Sequence, residues 1–143
     1  MARGIPSSVI DHFQAIPLFE SVSKKGIRAI VGAATEVDVR AGKALVREGE
    51  FGRDLYVIVA GEALVTQGGK RLSRLGPGDF FGELAFLDRS RRSATVTARS
   101  DMRVMVLGPR EFDVIVDREP AIAKRLLEAM ARRIRQNERS LQH

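Results

Sequence analysis

The residues best suited to chemistry lie in one run, Phe81-Gly82-Glu83-Leu84-Ala85-Phe86-Leu87-Asp88-Arg89-Ser90-Arg91-Arg92-Ser93-Ala94-Thr95-Val96. Gly82 falls between a strand end and a short helix-competent segment, where the missing side chain lets backbone N–H groups approach a ligand closely. The free N–H groups of a first helical turn form an anion site. Arg92 follows at the start of the next strand, and a guanidinium offers paired donors matched to phosphate oxygens. Glu83 is a carboxylate within this anion-seeking set. It serves no purpose toward phosphate alone, but it can accept hydrogen bonds from ligand hydroxyls. Phosphate plus hydroxyl describes a nucleotide or a sugar phosphate. Taken singly, Glu83 is equally compatible with an ion pair to Arg91 or Arg92, and Gly82 with a plain turn. Their joint occurrence inside a β-rich segment flanked by helices favours the ligand.

Composition removes the main rivals. The chain has 143 residues, fitting one domain with room for an apolar core. It has no Cys, so disulfides, zinc–thiolate sites and thiol nucleophiles are excluded. The two His, His12 and His143, stand near opposite ends, which leaves no clustered ligand set for a metal enzyme on a similar roll and no partner motif for a nucleophilic triad. No catalysis, no metal and no cofactor is expected. The net charge of +6 is concentrated at Arg89 to Arg92 and from Lys124 to Arg139. A basic balance suits nucleic acid, a membrane surface or an anionic small ligand, and for the tail a solvated helix face is the plainer reading. The N-terminal residues lack a signal peptide's apolar core, and no stretch reaches the ~20 apolar residues of a membrane span. A cytoplasmic location is the expectation.

The elements that must position these residues follow from periodicity. Ser7 or Ser8 is predicted to cap a short helix carrying Val9, Phe13 and Ile16, stopped by Pro17; Ser23 is predicted to cap a second with Ile27, Ile30, Val31 and Ala34 on one face. The pair Leu18-Phe19 between them is expected to be buried. From Thr35 onward apolar residues alternate between recurring glycines, the pattern of an antiparallel roll. Strands are predicted at Glu36–Val39, Ala44–Arg47, Leu55–Ala60, Glu62–Gln67, Arg71–Leu75, Ala94–Arg99 and Arg103–Leu107. Gly68-Gly69 signals a tight hairpin, Gly76-Pro77-Gly78-Asp79 a turn, and Asp101 the tip of another hairpin. Pro109 starts a short helix through about Val116. Pro120 starts a longer one whose apolar stripe is Ile122, Leu126, Met130 and Ile134, with Leu127 and Ala131 alongside and Lys124, Arg125, Glu128, Arg132 and Arg135 opposite. The fold class is α+β, mainly β: an antiparallel, jelly-roll-like β-roll flanked by N-terminal helices and two C-terminal helices.

The run from Phe81 to Val96 resembles the phosphate-binding cassette of the cyclic-nucleotide-binding family, whose pattern is Phe-Gly-Glu-Leu-Ala, a short variable loop, then Arg, a small residue, Ala and Thr. Val46-Arg47-Glu48-Gly49-Glu50 and Leu55-Tyr56-Val57-Ile58-Val59-Ala60-Gly61 also look like that family's β-roll. The resemblance implies one domain over residues 1–143, with N-terminal helices at 1–34, the roll at 35–108 containing the cassette at 81–96, and C-terminal helices at 109–143 acting as a lid. It implies that Glu83 accepts from a ribose 2′-hydroxyl, that Arg92 pairs with a cyclic phosphate, and that backbone N–H groups of Gly82, Leu84 and Ala85 supplement it. Ser93 would donate to the phosphate or the base, Ala94 would let the chain pass close to the ligand, Val65 would pack on the base, and Arg133 of the last helix would touch it. The loop departs from the family in carrying Arg89 and Arg91 where Gly and Pro are common; both are expected to face solvent.

The implied function is a regulatory sensor that binds cyclic nucleotide, cAMP rather than cGMP, and reports occupancy by moving its last helix. The alternatives are a cGMP-binding domain or the ligand-binding part of a transcription regulator without its DNA-binding domain. Since the sequence stops at His143, directly after the long helix, specific DNA binding by this chain alone is not expected. A homodimer through the C-terminal helix or a fused effector domain remains open at this level.

Overall fold

The computed structural model describes residues 5–16, 19–82, 86, 89–125, 127–128, 131–132 and 135. Two helices lead. The first, α1 (Ser7–Gln14), buries Val9 and Phe13, one turn apart. Its cap differs from the expectation: Pro6 takes the N-cap position, with no side-chain cap bond, and Ser7 is the first helical residue. The fixed φ of proline pre-sets the chain entry, so no serine is needed there. The second, α2 (Lys24–Ala33), is capped by Ser23, whose Oγ accepts from the Gly26 N–H at 3.1 Å. Ile27, Ile30 and Val31 form its buried face. Phe19 is fully buried between the helices; Pro17 and Leu18 lie outside the described residues.

Eight strands follow: β1 (Thr35–Val39), β2 (Ala44–Val46), β3 (Leu55–Ala60), β4 (Ala63–Gln67), β5 (Lys70–Leu75), β6 (Phe80–Phe81), β7 (Thr95–Ala98) and β8 (Met102–Leu107). They form two four-stranded sheets, in the orders β1-β8-β3-β6 and β2-β7-β4-β5. Every pairing is antiparallel. Gly68 and Gly69, both at positive φ, make the two-residue connection of the β4–β5 hairpin. At the β7–β8 tip, the Asp101 carboxylate accepts from the Ala41 N–H at 2.9 Å, tying the tip to the β1–β2 connection. Then α3 (Pro109–Arg118) starts with proline in its first turn and runs two residues past the expected end. Helical residues recur at 121–125, 127–128, 131–132 and 135.

The sheet holding β3 and β8 is the shared wall of two cores. Leu55 and Val57 of β3 and Met105 and Leu107 of β8 face the helices, with Phe13, Ile27 and Phe112. Their alternates, Ile58, Met102 and Val104, face the interior of the roll with Val96 and Ala98 of β7. A strand buried on both faces reads as a continuous apolar run, which is what Leu55-Tyr56-Val57-Ile58-Val59-Ala60 is. Ile122 joins the helical core. Leu127 and Ala131, expected alongside the apolar stripe, are both exposed. Leu126, Met130 and Ile134 lie outside the described residues.

Candidate functional site

Arg92 enters from the loop before β7 and is the one buried charged side chain among the described residues, 7% exposed. The loop that delivers it is strapped to the β2–β3 connection by main-chain bonds: the Gly49 N–H donates to the Arg92 carbonyl and the Arg92 N–H to the Glu50 carbonyl, each at 2.9 Å. The Glu48 N–H donates to the Thr95 hydroxyl at 2.9 Å. On the other side, the Gln67 amide of β4 donates to the Ser93 carbonyl at 2.9 Å. Arg92 is therefore held at the main chain from both neighbouring elements.

Its guanidinium donates to two backbone carbonyls, Asp54 O at 3.0 Å and Gly82 O at 3.4 Å. No carboxylate lies within ion-pair distance of it among the described residues. Burial pushes its pKa down, while the Tyr56 and Asp54 side chains oppose that shift. A buried cation that the described residues supply only with carbonyl dipoles is a site that an anion would complete. Gly82, at φ 87°, occupies the left-handed region that favours glycine, and its carbonyl accepts from the Phe86 N–H at 3.1 Å.

A cleft of about 280 Å³ opens in front of this arginine, at the small end of the range for small-molecule sites. Five of the nine residues expected at a ligand line it: Gly82, Arg92, Ser93, Ala94 and Val65. The other four, Glu83, Leu84, Ala85 and Arg133, lie outside the described residues. Sequence reasoning missed the apolar lining from Val46, Phe80 and Val96. Val46 and Val96 are paired across β2 and β7, a juxtaposition that only strand register reveals. Phe80 belongs to β6, too short for its alternation to show.

The two other arginines of the loop behave differently from each other. Arg89 is exposed at φ 61°, the one non-glycine residue of the described chain at positive φ. Arg91 is exposed, as expected, but it also lines the cleft: its guanidinium donates to the Gly49 carbonyl at 2.9 Å and lies 4.0 Å from the centre of the Phe51 ring. Phe86 carries the cassette back to the helices. It is 4% exposed, and its ring meets Phe112 of α3 edge-on at 5.1 Å.

The family model for the cyclic nucleotide-binding domain matches residues 36–119. The chain belongs to that family. This family is a regulatory, ligand-binding one, and its β-roll is the fold described above. The family domain is similar to part of the Drosophila melanogaster cGMP-dependent protein kinase, isozyme 1, with 39% identity over 98 residues, 68% of this chain and 13% of the kinase. The N-terminal domain of a transcriptional regulator from Streptomyces coelicolor A3(2) superposes with a TM-score of 0.84 at 29% identity, covering 89% of this chain and 94% of that one. The regulatory domain of Toxoplasma gondii PKA, crystallised with cAMP, gives a TM-score of 0.70 at 33% identity, over 82% of this chain and 46% of that one. The chain spans less than a third of the length of the first curated relatives it matches. No helix among the described residues is long and apolar enough to cross a membrane.

Proposed function

We propose that this domain is a sensor for cAMP that binds the nucleotide in the Arg92 cleft and reports occupancy through its C-terminal helical segment. The observation that carries the binding half is Arg92 itself, buried, paired among the described residues only with carbonyls, and facing the cleft. A cyclic phosphate supplies the missing anion. Gly82, Leu84 and Ala85 add backbone N–H donors, and Glu83 accepts from the ribose 2′-hydroxyl. Ala94 lets the chain pass the ligand without a clash, Val65 packs on the base, and Ser93 and Arg133 meet the phosphate or the base edge. The choice of cAMP over cGMP rests on no single residue, because a hydroxyl at Ser93 suits either base. A competition titration decides it: cGMP displacing cAMP tenfold better than the reverse would replace the one nucleotide by the other.

The reporting half rests on two contacts. Phe86 couples the cassette to Phe112, so a shift at the cleft is felt by α3. The helical segment beyond α3 is anchored away from the cleft in this structure: Ile122 packs in the helical core, and Arg132 bonds Glu20 and Ser21. No described residue of that segment lines the cleft. A ligand favouring a second position over the base shifts the balance only by its differential affinity for the two. Hydrogen exchange with and without cAMP is the test, with altered protection expected over residues 121–139. Identical protection there in both states ends the lid model. The partial coverage of the relatives supports reading the domain as one module of a larger regulator, whose output the fused partner would set.

A further inference from the structure

A guanidinium at the end of a long, flexible side chain can swing to the surface, as that of Arg91 does beside Phe51. That of Arg92 is held in place, and its seat is built by residues far from it in sequence. One wall is Gly52, in the β2–β3 connection. A Cβ placed there would lie 3.1 Å from both Nε and Nη2 of Arg92. Gly52 is not among the glycines at positive φ, so its backbone would accept any residue. What glycine supplies there is space. The opposite wall is Gly82, where a Cβ would fall 2.6 Å from Nη1 of Arg92 and from the Asp54 carbonyl. The back is the ring of Tyr56, its centre 5.8 Å from the guanidinium carbon, within reach of a cation–π attraction. Tyr56 is itself fixed, stacked on Phe81 at 4.8 Å with the rings 5° from parallel. Two N–H groups of the guanidinium go to carbonyls, leaving the rest of its five donors for a ligand.

We propose that Gly52 and Tyr56 are positioning residues for Arg92: Gly52 by withholding a side chain from the Nε–Nη2 edge of the guanidinium, Tyr56 by backing the cation with its ring. This rests on reading the cleft as a cyclic-nucleotide site. Together they pre-organise the cation, so that the phosphate meets donors already aimed and little ordering is left to be done on binding.

The test compares cAMP with its neutral phosphate methyl ester by calorimetry, on the native chain, Gly52→Ala, Tyr56→Phe and Tyr56→Leu, with thermal unfolding of each. Gly52→Ala is expected to weaken cAMP roughly tenfold to a hundredfold, the worth of displacing one charged hydrogen bond, with little change for the neutral ester and an unfolding midpoint near native. The preference for the charged ligand therefore shrinks, which mere loosening of the fold would not cause, since it lowers both affinities alike. Tyr56→Phe keeps the ring and is expected to keep the preference, while Tyr56→Leu reduces it. If Gly52→Ala does not fold, the contrast between the two Tyr56 variants decides. Native binding of cAMP with an unaltered preference in Gly52→Ala and Tyr56→Leu overturns the positioning roles and leaves the site standing. A native chain that binds neither cAMP nor cGMP overturns both.

Discussion

Positive charge gathers in two places in this molecule, and the two are built on opposite principles. In the helical tail, Lys124, Arg125, Arg132 and Arg135 are exposed. Where they pair, the partner is a side chain: Arg125 with Glu128 one helical turn on, at 3.5 Å, and Arg132 with Glu20. Each such pair is worth at most ~1 kcal/mol and is weakened by salt. In the cassette loop, one arginine of three is buried and is given no carboxylate among the described residues. The tail pairs its charge on its own surface, whereas the described residues give the buried cassette arginine only carbonyls. A buried cation whose described neighbours offer it only carbonyls gains most from an anion brought to it.

The comparison can be broken most directly at Arg92. Arg92→Leu is expected to weaken cAMP binding by about 2–5 kcal/mol, the cost of deleting one partner of a buried charge pair, or roughly thirty- to several-thousand-fold. Unchanged affinity by calorimetry would remove Arg92 from the site and turn attention to Arg91. Next in size is the hydroxyl end. If Glu83 accepts from the ribose, 2′-deoxy-cAMP should bind about tenfold or more weakly than cAMP, and Glu83→Gln should narrow that gap. Equal binding of the two nucleotides by the native chain would sink the assignment.

Smaller effects sharpen the contrast from the surface side. Arg91→Leu removes an exposed charge near the cleft, so about a two- to threefold loss of affinity is expected, vanishing at high salt. A loss that persists at high salt would mean that Arg91, which lines the cleft, contacts the ligand directly. At the tail, Glu20→Gln frees Arg132 from its anchor. If that anchor holds the segment away from the cleft, cAMP should bind about twofold more tightly, the scale of one exposed ion pair. Weaker binding would mean that the anchored position is the one ligand prefers.

Much of the roll was legible because its signals are local. The apolar runs in Leu55–Ala60 and Met102–Leu107 and the Gly68-Gly69 pair each declare themselves within a few residues, and seven strands lie within one residue of their expected ends. The Ser23 cap was equally local. The two-residue β6 was not legible, since no alternation shows in Phe80-Phe81. In the tail, Ile122 faces the core while Leu127 is 72% exposed: five residues along a helix is a step of about 140° from the starting face, too far for one narrow stripe. The cassette was readable as a motif, and four of its expected ligand residues, Gly82, Arg92, Ser93 and Ala94, do converge on one cleft with Val65 of β4. The seat under Arg92 was not readable, because Gly52 and Tyr56 meet that guanidinium only once the sheets have closed. Spacing along the chain carries no trace of that contact.

The pairing of β1 with β8 also governs how such a chain must come together. Thr35 lies opposite Val106, and Val39 opposite Met102, so the first strand has no partner until nearly the whole roll has been made. The helical core waits as well, since Phe13 and Ile27 pack with Leu107, Phe112 and Ile122. Contacts of such long sequence separation slow folding, because the loop must be closed before the pairing rewards it. During synthesis the N-terminal helices would therefore emerge with their apolar faces uncovered, and a nascent chain halted before β8 should be readily cut by protease and held by chaperones. The late arrival of β8 makes closure of the roll a single cooperative event, in which the anion site and the helices that would read it are completed together.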